Sequence, residues 1–180
     1  LSWAEAKEIH VEKKHLARKK PSRIEKHHWH ELKEAMEMGG LHRLKGNYEW
    51  DELYRYVSKL IPCGETIQNQ VFEQLVQREE LSSTALGHGL AVPHPRIPMK
   101  LELQDSLVLS VFLEHPIDLK APDQKPVFSL FLLLSREARE HLQFLSQIAK
   151  VLNVPSMPSF LSQSPGQEQL LEQFHQILAQ

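Results

Sequence analysis

Val127-Phe128-Ser129-Leu130-Phe131-Leu132-Leu133-Leu134 decides the fold, because it is apolar on both faces rather than alternating with polar residues. The run at 106–113 has the same character. Both are strand length and far short of the roughly 20 residues that span a bilayer as a helix. Strands without a wet face need helices over both sides of their sheet. A third strand-length run lies at 86–92.

Helical spacing surrounds these runs. One helix is expected over 24–38, with Trp29, Leu32, Ala35 and Met36 three and four apart and Gly39-Gly40 as its left-handed exit. Others are expected over 50–60 (Leu53, Tyr54, Val57, Leu60), stopped by Pro62, and over 67–79 (Val71, Leu75, Val76). Two more are expected over 137–152 (Ala138, Leu142, Leu145, Ile148, Leu152) and over 167–178, after a Pro- and Ser-rich loop. Residues 1–20 read as a short amphipathic helix (Trp3, Ala6, Ile9) running into a basic stretch that ends at Pro21. The expected architecture is a three-layer α/β/α domain with a mixed central sheet, plus an N-terminal helical segment. The division is a 1–38 helical and basic linker followed by a domain at 39–180.

Composition restricts function as well. With 180 residues, 41% apolar and 24% charged, the chain is of ordinary globular type. A formal charge of −2 offers no global attraction to nucleic acid or an anionic membrane. The one local candidate is the stretch 10–30, with seven Lys or Arg against two Glu and five histidines. Its part from Lys13 to Lys26 lacks interleaved aromatic platforms and a complete recognition motif, so a solvated linker is favoured over a nucleic-acid contact. Cys63 is the sole cysteine, which excludes an internal disulfide and a thiolate cluster and fits a reducing compartment such as the cytosol. The chain opens Leu1-Ser2-Trp3 without an initiator Met, so residues upstream are expected.

His94 stands between Pro93 and Pro95 after an apolar strand, and the prolines hold that segment extended. Alone, this is an ordinary loop histidine. His88, His94 and His141 match no zinc spacing, and the histidines at 27, 28 and 30 read as a solvated basic face.

Arg78-Glu79, then Ser82-Ser83-Thr84-Ala85-Leu86-Gly87-His88-Gly89-Leu90-Ala91-Val92-Pro93-His94, resembles the active-site signature of enzyme IIA domains of the fructose/mannitol type in the bacterial phosphotransferase system, a group that includes nitrogen-regulatory IIA proteins. The strand at 127–134 followed by Arg139-Glu140-His141-Leu142 is similar to that family's second motif. The resemblance runs over roughly 39–180. It implies that His94 is the phosphorylated residue, that His141 faces it, that Arg78 is the active-site arginine, and that Thr84 is a supporting hydroxyl. Ala85 stands where the family commonly has Gly, and Pro95-Arg96 follow the site.

The implied function is a histidine phosphocarrier or phosphorylation-state sensor. Its phosphoryl donor is expected to be a small HPr-like phosphocarrier protein, with a regulatory protein as a further target. Arg78 would bind phosphoryl oxygens through its planar fork, and His141 would donate a hydrogen bond to them. The scheme demands no metal or other cofactor and no membrane insertion. IIA domains of this type sometimes follow an excisionase-like DNA-binding module, and the opening residues resemble the tail of one; DNA contact would then belong to that upstream module. The rival is a regulatory interaction module with the IIA fold that no longer transfers phosphate. The phosphocarrier reading needs residues 78, 94 and 141 to converge around a solvent-reachable imidazole.

Overall fold

The computed structural model describes residues 23–99 and 103–180, with 23–27 described by backbone alone. The expected helix at 1–20 and most of the basic stretch lie outside the described residues. The elements run α1 (Arg23–Gly39), β1 (Leu41–Leu44), α2 (Trp50–Ser58), α3 (Glu65–Leu81), β2 (Ala85–Gly87), β3 (Leu90–Ala91), β4 (Leu107–Ile117), β5 (Val127–Leu134), α4 (Ala138–Leu152), α5 (Met157–Ser162) and α6 (Gln167–Leu178).

The five strands form one mixed sheet in the order β1-β4-β5-β3-β2. β4 pairs antiparallel with β5, while β1 joins β4 and β3 joins β5 in parallel. β4 and β5 take the centre because both their faces are apolar, as expected. Leu107, Leu109, Val111, Leu130 and Leu132 face Leu53, Tyr54, Val57, Val71 and Leu75 of α2 and α3. Val108, Phe112, Phe131 and Leu133 face Leu32 and Met36 of α1, Phe144 and Ile148 of α4 and Phe174 of α6. The domain is therefore a three-layer α/β/α sandwich, and each fully buried Leu or Phe contributes about 1.5–3 kcal/mol.

Three local features depart from the periodicity. β1 was not expected, for its four residues carry a His and an Arg and only Leu44 is buried. Its pairing with β4 holds it in place, and Arg43 ties it to the chain before α6 through Ser164 Oγ (3.0 Å) and the carbonyls of Ser164 (3.0 Å) and Pro165 (2.8 Å). The short helix α5 was also missed. The expected single strand at 86–92 is a hairpin, because Gly87, His88 and Gly89 all have positive φ (91°, 57° and 81°) and reverse the chain.

At the end of α1 the two glycines do different jobs. Gly40 takes the left-handed φ of 73° that ends the helix. Gly39 supplies space, since a Cβ there would lie 2.1 Å from the carbonyl oxygen of Val108. That contact sets α1 directly on β4.

Candidate active site

The parallel ladder between β3 and β5 continues past the last residue of β3, where the Leu133 N–H donates to the Pro93 carbonyl (2.9 Å). His94 is thus delivered to the carboxyl end of the sheet, where open α/β sheets place their sites. β5 leads at the same end into α4, whose first full turn carries His141, its N–H donating to the Glu137 carbonyl (2.9 Å). Arg78 arrives from the last turn of α3. Three chain-distant side chains therefore meet here, with the His94 and His141 rings 5.1 Å apart between centroids. Arg78 is close enough to both for its charge to act on each ring.

The tautomer of His94 follows from one bond. Its Nδ1 lies 2.7 Å from the Val92 carbonyl, which can only accept, so Nδ1 carries the hydrogen and Nε2 keeps its lone pair. Nε2 is buried and has no hydrogen-bond partner among the described residues. Burial lowers the His94 pKa to about 3; the Val92 carbonyl opposes this, while His141 and Arg78 push it further down. His141 is lowered to about 4, again by burial first, with Arg78 adding to it. Both rings are neutral at physiological pH.

The imidazole is not solvent-reachable as expected. His94 is only 4% exposed, because it is enclosed beside His141 and between the buried Pro93 and Pro95. The convergence of the three side chains is present; exposure of Nε2 is not.

Arg78 likewise differs from a solvated helix-end arginine, being 4% exposed. Its Nη1 donates to the Ser82 carbonyl (2.7 Å) and lies 3.3 Å from Ser82 Oγ, which fixes the guanidinium by the turn that leaves α3. Next to it, Glu79 organises the residues around the site. Its Oε1 accepts the Thr84 N–H (2.9 Å), and its Oε2 accepts the hydroxyls of Thr84 (2.7 Å) and Tyr54 (2.8 Å). Burial, reinforced by Glu79, raises the Tyr54 pKa well above that of a free phenol, so Tyr54 stays a donor. Thr84 has one hydroxyl hydrogen, and here it goes to Glu79.

The roles of Glu79 and Tyr54 were missed in the sequence. Glu79 stood in the quoted motif, but nothing there points to Tyr54, which looks like any core aromatic. His88, by contrast, sits exposed at the hairpin tip with its N–H donating to Asp123 (2.7 Å), apart from the other two histidines. Among the described residues no group of three His, Cys, Asp or Glu is placed to hold a metal ion.

Residues 43–177 match the family described as phosphoenolpyruvate-dependent sugar phosphotransferase system, EIIA 2. The chain is 37% identical over 111 residues to a nitrogen regulatory protein of Bradyrhizobium diazoefficiens, covering 61% of this chain and 71% of that one. It is 39% identical over 104 residues to a nitrogen regulatory protein of Pseudomonas aeruginosa, covering 57% of this chain and 66% of that one. The crystal structure of nitrogen regulatory protein IIA-Ntr from Neisseria meningitidis superposes with a TM-score of 0.66 at 26% identity, over 79% of this chain and 98% of that one. Enzyme IIA in the Escherichia coli complex of mannitol enzyme IIA with phosphorylated enzyme IIB shares the fold, with a TM-score of 0.62 at 18% identity over 74% and 93% of the two chains.

Proposed function

Because this chain belongs to the EIIA 2 family of the phosphoenolpyruvate-dependent sugar phosphotransferase system, we propose that it accepts a phosphoryl group on Nε2 of His94 and acts as a regulatory phosphocarrier. The observation that carries this reading is a buried imidazole nitrogen, unprotonated and without a hydrogen-bond partner among the described residues, beside Arg78 and His141. The regulatory assignment draws on the likeness to nitrogen regulatory proteins.

The step conserves atoms and charge. The Nε2 lone pair attacks phosphorus on a phosphohistidine of an HPr-like donor protein. The donor's N–P bond breaks, and its electron pair returns to the donor imidazole. Nδ1 of His94 keeps its hydrogen, and the bond to the Val92 carbonyl strengthens as the ring becomes cationic. Arg78 compensates the phosphoryl charge and His141 donates to an equatorial oxygen. Glu79 and Thr84 hold the chain after α3 in place beside Arg78. Among the described residues no helix is long and apolar enough to cross a membrane. The cytoplasmic assignment rests on the proposed exchange with an HPr-like donor.

Burial of His94 favours a second reading, an interaction module with this fold that never takes phosphate. Incubation with purified phosphorelay proteins and labelled phosphoenolpyruvate separates the two. Acid-labile label on the wild type, absent from His94→Ala, is expected; an unlabelled wild type leaves the interaction module.

A further inference from the structure

Resting on the phosphocarrier reading, we propose that the hydroxyl of Ser135 is a third donor to the transferred phosphoryl group, alongside Arg78 and His141. Along β3 and its continuation, Leu90 and Val92 face the α1, α4 and α6 side of the sheet; along β5, Phe131 and Leu133 face the same side. His94 and Ser135 are the next residues on that face in their respective strands. The register of Leu90 with Ser129 and Ala91 with Leu130, extended by the Leu133 N–H to Pro93 carbonyl bond, sets His94 beside Leu133 and Ser135 one pleat further on. The Ser135 carbonyl accepts the Met99 N–H (2.9 Å), which draws the chain that follows His94 alongside it.

Ser135 is 2% exposed, and its Oγ, like His94 Nε2, is buried without a hydrogen-bond partner among the described residues. Each orphaned polar atom is costly unless something satisfies it, and both lie on the same face at the same end of the sheet. A phosphoryl group on Nε2 carries oxygens that accept, and a serine hydroxyl donates. Thr84 does not satisfy this need in the structure, because its hydrogen goes to Glu79. Ser110 and Ser129 are also buried and orphaned, but they lie within paired stretches of β4 and β5, inside the apolar layer and away from the strand end.

The test compares Ser135→Ala, Ser135→Thr and, as a buried-serine control, Ser129→Ala. Three readouts are used: the rate of phosphoryl uptake from a phosphorylated HPr-like donor, the hydrolysis rate of the phosphohistidine, and its phosphorus NMR shift. Ser135→Ala should take up phosphate about tenfold or more slowly and show a moved phosphorus resonance. Ser135→Thr should recover most of the rate, and Ser129→Ala should match the wild type in both. If Ser135→Ala does not fold, Ser135→Cys keeps the volume with a much weaker donor and takes its place. A labelled wild type with Ser135→Ala equal to it overturns the role of Ser135 and leaves the phosphocarrier reading standing. An unlabelled wild type, indistinguishable from His94→Ala, removes the phosphocarrier reading and this inference with it.

Discussion

Arg78 and the two histidines of the site are all withdrawn from water, but with opposite consequences for charge. A guanidinium keeps its proton when buried, so it must be held by acceptors, here the Ser82 carbonyl and hydroxyl oxygen. An imidazole gives its proton up instead. Folded-state pKa values of about 3 for His94 and about 4 for His141 lie below the unfolded value near 6.5. The unfolded chain therefore binds more protons than the folded one below pH 6.5, so stability present above that pH is lost as pH falls towards 4 and 3. At pH 5 each histidine costs about 2 kcal/mol of stability relative to pH 7 and above. Urea unfolding at pH 7 and pH 5 should show this, and His94→Gln or His141→Gln should flatten the dependence; an unchanged slope would contradict the burial of neutral rings. For transfer itself, Arg78→Ala and His141→Ala should each lose about 2–4 kcal/mol of transition-state stabilisation, read as slower phosphoryl uptake at unchanged fold.

Among the elements, α1 lies directly against β4 at Gly39. Gly39→Ala would press a methyl group against the Val108 carbonyl, which is backbone and cannot swing aside. A loss of about 1–3 kcal/mol is expected in the urea midpoint, as for other overpacked contacts. Gly40→Ala, with φ of 73°, should cost about 1 kcal/mol for conformational reasons alone. The central strands and the long helices were legible because hydrophobic spacing repeats over eight residues or more. β1 was not, because a four-residue edge strand with one buried side chain has no period to detect. Apolar run length alone gave a single strand at 86–92, because a reversal made by backbone φ at Gly87-His88-Gly89 leaves little mark on hydrophobic spacing.

Across the whole molecule, helix α1 precedes the 43–177 stretch matched to the family, yet it covers part of one sheet face. Leu32, Ala35 and Met36 are fully or nearly fully buried against it. Removing residues 1–39 should expose Val108 and Phe112 and cost about 3–6 kcal/mol, from the transfer of two large side chains and their contacts. That is a large share of the 5–15 kcal/mol that holds a typical domain together. A chain starting at Gly40 should melt well below the full chain and bind a hydrophobic dye; an equal melting temperature would show that α1 is dispensable.

Local patterning by itself determined the layer architecture, through two strands without a polar face, whereas the candidates at positions 78, 84, 94 and 141 came from the family resemblance that two motifs in order carry. Only the tertiary structure decided that the His94 ring is enclosed, that Arg78 is buried, that Glu79 takes the hydrogens of Thr84 and Tyr54, and that Ser135 lies one pleat beyond the residue paired with His94. The physical reason is that spacing along a chain specifies which face a residue joins, whereas burial and hydrogen-bond partners depend on what other elements bring to that face.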